Sequence, residues 1–221
     1  MNIFSIFNDK KVTFFKDKHM DTIIERYNKI KSNIIKMDPK KQVNIVAVSK
    51  TFSIEHIKPL IDYGHLHFGE NKVQEAAAKW KVLKNEKKNL KLHMIGKLQS
   101  NKAKNALEIF DYIHSLDSQK LADILSRLES NTNRFIKYFI QVNIGNELQK
   151  SGIPIRELED FYNYCVNERK LNIIGLMIIP PVDQKVISYF QSVDTLNKSL
   201  NLKELSMGMS ADYMDAIKYN S

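Results

Sequence analysis

Short apolar runs rich in β-branched residues alternate with amphipathic helical stretches along almost the whole chain, and nothing else in the sequence restricts the fold as much. Residues 43–48 form the first such run, which suits a strand buried on both faces. Ahead of it, Ile23, Ile24, Tyr27, Ile30 and Ile34 recur at helical spacing up to a break at Pro39. Behind it the same unit repeats. Ser53 can cap a helix running towards Gly64, residues 65–68 read as a strand ending at Gly69-Glu70-Asn71, and a helix follows through Trp80. Further strands are expected over residues 90–95, 112–115, 137–144, 173–178 and 202–206. Helices are expected over 100–110, 118–128, 154 to about 167, and 186–200.

Strand–helix alternation of this kind requires parallel strands, in either an open doubly wound sheet or a closed (β/α)₈ barrel. The first strand is followed by Ser49-Lys50-Thr51-Phe52-Ser53, with no glycine to bring a pyrophosphate against the backbone, which argues against a dinucleotide site. Polar and glycine residues gather just after strands, at Lys50, Gly69-Glu70-Asn71, Gly96, Asn143 and Ser206-Met207-Gly208. A barrel places its binding loops there, all on one rim.

The 221 residues fit one large α/β domain, with residues 1–19 as a loosely held N-terminal extension and 20–221 as the barrel. No apolar run is long enough to span a bilayer, so no membrane partner is expected. The net charge of +9 is carried mostly by lysine. Lys79, Lys81, Lys84, Lys87 and Lys88 alternate with apolar residues as on a solvated helix face, so nucleic acid is not an expected partner either. The single cysteine, Cys165, excludes an internal disulfide and a cysteine-rich metal site, reads as an inert buried thiol and fits a reducing compartment. No histidine spacing points to a metal.

Lys50 carries the chemistry of this reading. It ends an apolar strand, and a lysine partly desolvated in a barrel mouth favours the neutral amine that attacks an aldehyde carbon. By spacing alone, a snorkelling surface lysine is the commoner case. His93 and His114 read as packed, hydrogen-bonded histidines rather than proton-transfer groups. Glu70 and Glu75 are too weakly constrained to form a catalytic pair, and Tyr63, Trp80 and Tyr112 read as core.

Several motifs occur in one order: Ala47-Val48-Ser49-Lys50-Thr51; Phe68-Gly69-Glu70-Asn71 with Val73-Gln74-Glu75; and His93-Met94-Ile95-Gly96 with Leu98-Gln99-Ser100-Asn101-Lys102. They continue with Gln141-Val142-Asn143-Ile144, Lys150-Ser151-Gly152-Ile153, Gly175-Leu176-Met177 with Ile179-Pro180, and Leu205-Ser206-Met207-Gly208-Met209-Ser210. From about Met20 onward the chain resembles the YggS/PROSC family of pyridoxal phosphate homeostasis proteins. The resemblance implies a TIM (β/α)₈-type barrel like the N-terminal domain of alanine racemase, with pyridoxal 5′-phosphate held as a Schiff base on Lys50. It places Asn71 beside the cofactor, a role compatible with capping the following helix, and Ser206 and Gly208 in the segment that helps hold the phosphate. Family members continue past that segment into a further strand with an Arg-Ile-Gly-Ser/Thr motif and a closing helix. This sequence ends at Ser221, so the expected barrel has seven strands, lacks the last strand and helix, and leaves edges unpaired. The implied function is a non-enzymatic, cytoplasmic, monomeric carrier or buffer of pyridoxal phosphate that can pass it to apoenzymes requiring it. A pyridoxal-phosphate-dependent racemase or lyase is the alternative.

Overall fold

Seven strands follow the alternation: β2 (Ile45–Val48), β3 (His67–Glu70), β4 (Lys91–Met94), β5 (Tyr112–Leu116), β6 (Lys137–Gln141), β7 (Ile173–Met177) and β8 (Glu204–Ser206). They pair in sequence order and every ladder is parallel. The computed structural model describes residues 2–4, 22–40, 42–132, 134–147, 149–181 and 185–219. Helices α2 (Ile54–Asp62), α3 (Val73–Glu86), α4 (Ala103–Ile109), α5 (Gln119–Glu129), α6 (Leu158–Asn163) and α7 (Val186–Ser199) connect successive strands. Helix α1 (Ile23–Met37) precedes β2, and the short α8 (Tyr213–Ala216) follows β8. Thr22 starts α1 with a capping box: its hydroxyl accepts from the Glu25 N–H and the Glu25 carboxylate accepts from the Thr22 N–H. No helix among the described residues is long and apolar enough to cross a membrane.

An eighth strand, β1 (Asn2–Phe4), lies in the segment read from sequence as a loosely held extension. It pairs in parallel with β2, Asn2 against Ile45 and Phe4 against Ala47, and approaches β8. A strand edge left open presents a row of unpaired N–H and C=O groups. The edge of β2 that was expected to be open is therefore occupied by the chain's own leading residues. The rest of the expected extension lies outside the described residues.

Most of the core lies between the sheet and its helices, where Ile45, Ala47, Phe68, Leu92, Ile113, Tyr138, Leu176 and Leu205 pack against residues such as Leu60, Trp80 and Phe190. A second, smaller cluster of Val46, Phe139 and Met177 lies on the inner face of the sheet. Strand β3 starts two residues later than its sequence pattern suggests. Gly64, with φ of +97°, turns the end of α2, and the His65 N–H donates to the Leu60 carbonyl at 3.1 Å, so His65 belongs to that turn. Gly69 and Glu70, read from sequence as a loop, pair with His93 and Met94 instead. Ser53 occupies the N-cap of α2 without a side-chain capping bond. Trp80 is fully buried as expected, whereas Tyr63 is 52% exposed and donates to Asn28 Oδ1, so it is not core. Cys165 is buried, and burial pushes its thiol up to about 12, which makes it inert.

His65, His93 and His114 are buried. Burial lowers His65 to about 4, His114 to about 3, and His93 well below the imidazole range. In the unfolded chain each titrates near ~6.5. Below that pH the unfolded state binds more protons than the folded one, so stability rises with pH through the window. It is fully present above about 6.5 and lost as pH falls towards the depressed folded values. Trp80 fluorescence should report a denaturant midpoint that falls steadily from about pH 7 to about pH 4. A flat midpoint would mean that these imidazoles remain titratable inside the fold.

Candidate functional site

Strand β2 delivers Lys50 to the carboxyl rim, and the residues on either side of it are held by hydrogen bonds, buried on the Ser49 side. The Ser49 N–H donates to the Gly69 carbonyl at 2.9 Å, and the Ser49 hydroxyl donates to Glu70 Oε1 at 2.7 Å. The same oxygen accepts from Lys79 Nζ and from Trp80 Nε1, each at 2.9 Å, and Lys79 also donates to the Ser49 carbonyl at 2.8 Å. On the far side, the Thr51 N–H donates to Glu75 Oε1 at 2.7 Å. Thr51 has φ of +67°, which for a β-branched residue costs on the order of 1–3 kcal/mol and persists only where neighbours over-determine it. The Glu70–Lys79 pair is buried, with the lysine side chain 10% exposed and the carboxylate fully covered. Lys50 itself is exposed, so the partial desolvation expected from sequence is not found.

Lys50 opens onto a cavity of about 660 Å³ built from residues at the ends of β2, β3, β4, β6, β7 and β8. Asn71 and Gly208 line it with Lys50, so three of the four expected cofactor residues meet there. Asn71 is not a helix cap, since the N-cap of α3 is Lys72. It approaches the end of β4 closely because residue 96 is glycine: a Cβ there would lie 2.5 Å from the Asn71 carbonyl oxygen. Gly208 has φ of +87°, which a side chain would strain. The fourth residue, Ser206, is fully buried beneath the cavity, and its hydroxyl lies 2.7 Å from His114 Nδ1. Sequence reasoning did not assign Lys97, Gln141, Lys150 or Ser151 to the site, although all four line it. Lys97 in the loop after β4, Gln141 at the end of β6, and Lys150 and Ser151 in the loop that follows β6 were the available signal. Asn143 shapes this wall by donating to the Glu147 carbonyl and accepting from its N–H, and Lys150 pairs with the Glu147 carboxylate.

Residues 19–221 match the family described as alanine racemase, N-terminal domain. The chain is 34% identical over 191 residues to the pyridoxal phosphate homeostasis protein of Buchnera aphidicola subsp. Schizaphis graminum, covering 83% of each. It is 35% identical over 193 residues to that of Pasteurella multocida, again over 83% of both chains. The chain belongs to the pyridoxal phosphate homeostasis protein family. Among solved structures, PipY of Synechococcus elongatus PCC7942 with PLP bound superposes with a TM-score of 0.76 at 33% identity, covering 87% of this chain and 94% of that one. Alanine racemase from E. faecalis, at 16% identity and a TM-score of 0.55, covers 80% of this chain and 49% of that one and shares the fold.

In this member of the homeostasis family, the lysine-bearing turn depends on Glu70, whose side chain does not line the cavity but binds Ser49. Glu70→Gln keeps one oxygen for Ser49 but removes the charge that pairs Lys79, and should cost about 1–3 kcal/mol in denaturant unfolding. Glu70→Ala, which leaves a buried ammonium without that partner, should cost about 3–5 kcal/mol. Equal stability of Glu70→Ala and wild type would show that the pair contributes nothing.

Proposed function

We propose that residues 20–221 form one barrel domain that holds pyridoxal 5′-phosphate as a Schiff base on Lys50. In this reading the domain carries or buffers the cofactor as a cytoplasmic monomer, and can pass it to apoenzymes that require it. The observation that carries the reading is the Lys50 amine on a cavity at the carboxyl rim, whose lining among the described residues holds no imidazole, phenol, thiol or carboxylate. The homeostasis relatives and the PLP-bound PipY support the choice of ligand.

The donor set suits this cofactor. When bound, it supplies an aldehyde carbon that a lysine amine can capture. Lys50 provides the amine, Asn71 an amide beside it, and the Met207–Gly208 turn a backbone that a phosphate can approach closely. Of that segment, the Met209 N–H is committed to Asp212 Oδ1 at 2.6 Å, which leaves the task to neighbouring positions. Lys97 and Lys150 add positive charge to the cavity wall. A racemase or lyase would need a second acid or base at the substrate Cα, and among the described residues only these two lysines line the cavity besides Lys50 as titratable groups.

Titration with pyridoxal phosphate should produce an imine absorption band, and borohydride reduction followed by peptide mapping should place the label on Lys50. Lys50→Ala should lose both while keeping wild-type stability, because the side chain is exposed. Label spread over many lysines would overturn the reading. Turnover of a single amino acid enantiomer in chiral analysis would instead establish the enzyme.

A further inference from the structure

Four polar side chains inside the barrel form a continuous chain, and the cofactor reading uses only its last member, Ser206. His67 Nδ1 lies 3.0 Å from His93 Nε2, His93 Nδ1 lies 2.9 Å from His114 Nε2, and His114 Nδ1 lies 2.7 Å from the Ser206 hydroxyl. His93, His114 and Ser206 are fully buried. Tyr112 stacks on His93 and Phe139 on His114, which fixes the planes of the inner rings. The chain starts at the opening residue of β3, passes through the middle of β4 and β5, and crosses to the last residue of β8.

We propose that His93 and His114 are positioning residues for the cofactor site: with His67 they form a one-way hydrogen-bond chain that holds the Ser206 hydroxyl and, through it, the Met207–Gly208 turn on the cavity wall. The proposal rests on the reading of that turn as part of the pyridoxal phosphate site.

A neutral imidazole has one N–H and one lone pair, so each inner ring donates on one side and accepts on the other, and the whole chain runs in one sense. Ser206 sets the sense. Among the described residues its hydroxyl has one acceptor within reach, His114 Nδ1. Ser206 therefore donates to His114, His114 Nε2–H to His93 Nδ1, and His93 Nε2–H to His67 Nδ1. The chain ends at His67 Nε2, on the half-buried ring that faces Lys91, Asp111 and Lys137. In this sense every N–H and O–H on the path finds an acceptor, whereas the reverse sense would leave the Ser206 hydroxyl proton without one, and a break at any link leaves a buried polar atom unpaired. Strand β8 has three residues and pairs with β7, so the cross-barrel bond to His114 ties its end to the far wall. The next two residues, Met207 and Gly208, line the cavity.

Histidine labelled with ¹⁵N and read by long-range ¹⁵N–¹H NMR tests this in wild type, Ser206→Ala and His67→Ala. Wild type should show neutral His93 and His114 with the proton on Nε2. Ser206→Ala should move His114 Nδ1 towards the shift of an unbonded nitrogen and weaken pyridoxal phosphate binding about fivefold, the loss of one hydrogen bond. His67→Ala, on an accessible ring that touches neither His114 nor the cavity, should still shift the His114 nitrogens and weaken binding in the same direction. A proton on Nδ1 of wild-type His114, His114 shifts unmoved by His67→Ala, or unchanged affinity of Ser206→Ala would each overturn the proposal while the imine on Lys50 of wild type stands. Absence of that imine from wild type would overturn the cofactor reading itself.

Discussion

Every ladder in the sheet is parallel, so each connection returns across the sheet, with a helix as its crossover, and all strand carboxyl ends come to one rim. That constraint assembles the site. Lys50, Asn71, Gly96, Gln141 and Gly208 are scattered over much of the sequence, yet each follows or ends a strand and all line one cavity. The same constraint makes the edges of the strand series its weak point, since a parallel sheet that does not close leaves backbone groups exposed. Asn2–Phe4 occupies one edge by adding to β2, the strand that carries Lys50 to the rim.

Polar groups buried on the two sides of the sheet do different work. Between sheet and helix, Glu70 gathers Ser49, Lys79 and Trp80 on one oxygen and joins the end of β2, the end of β3 and helix α3 at a single point. Replacement of such a pair by packed apolar residues is often neutral or stabilising, so its value here is geometric. It fixes the carbonyl and hydroxyl of the residue before Lys50, while Glu75 fixes the N–H of the residue after it. Inside the barrel, where Val46, Phe139 and Met177 supply little apolar area, three imidazoles and a hydroxyl bridge β3, β4, β5 and β8. Both networks specify where strand ends sit relative to one another.

The seven parallel strands were legible because β-branched runs such as Ile45–Val48 have no other stable home than a doubly buried strand. The placement of Lys50, Asn71 and Gly208 at one rim was legible from their position after such strands, and the family from motifs kept in order. The limits of the reading have physical causes. Gly69 and Glu70 have poor strand propensity, but their pairing with β4 outweighs it. Asn2–Phe4 is too short a segment for periodicity to distinguish a strand from a tail. Tyr63 falls at a core spacing but sits at the C-cap of α2, where the chain turns outward. The partners of Glu70 lie on another strand and on α3, and those of Ser206 lie 92 residues away, at separations no helical or strand period encodes. Ser206 shows the consequence: its motif placed it with the phosphate-holding segment, while its side chain points down into the barrel.

The exposure of Lys50 bears on what the site can be used for. A catalyst that stabilises carbanionic charge gains from excluding water and from acid and base groups set on both faces of the reacting carbon. Here the amine is open to solvent. Among the described residues, the cavity's other titratable groups are two lysines, one of them already paired with Glu147. An imine formed on such an amine can be hydrolysed by the water that reaches it. For an enzyme that would be a leak, but in the proposed reading, where the protein takes up an aldehyde and gives it back, it would be the return path. Rigid strand ends, held by Glu70 below the lysine turn and by the cross-barrel chain below β8, would then fix where the ligand sits, while solvent access keeps its capture reversible.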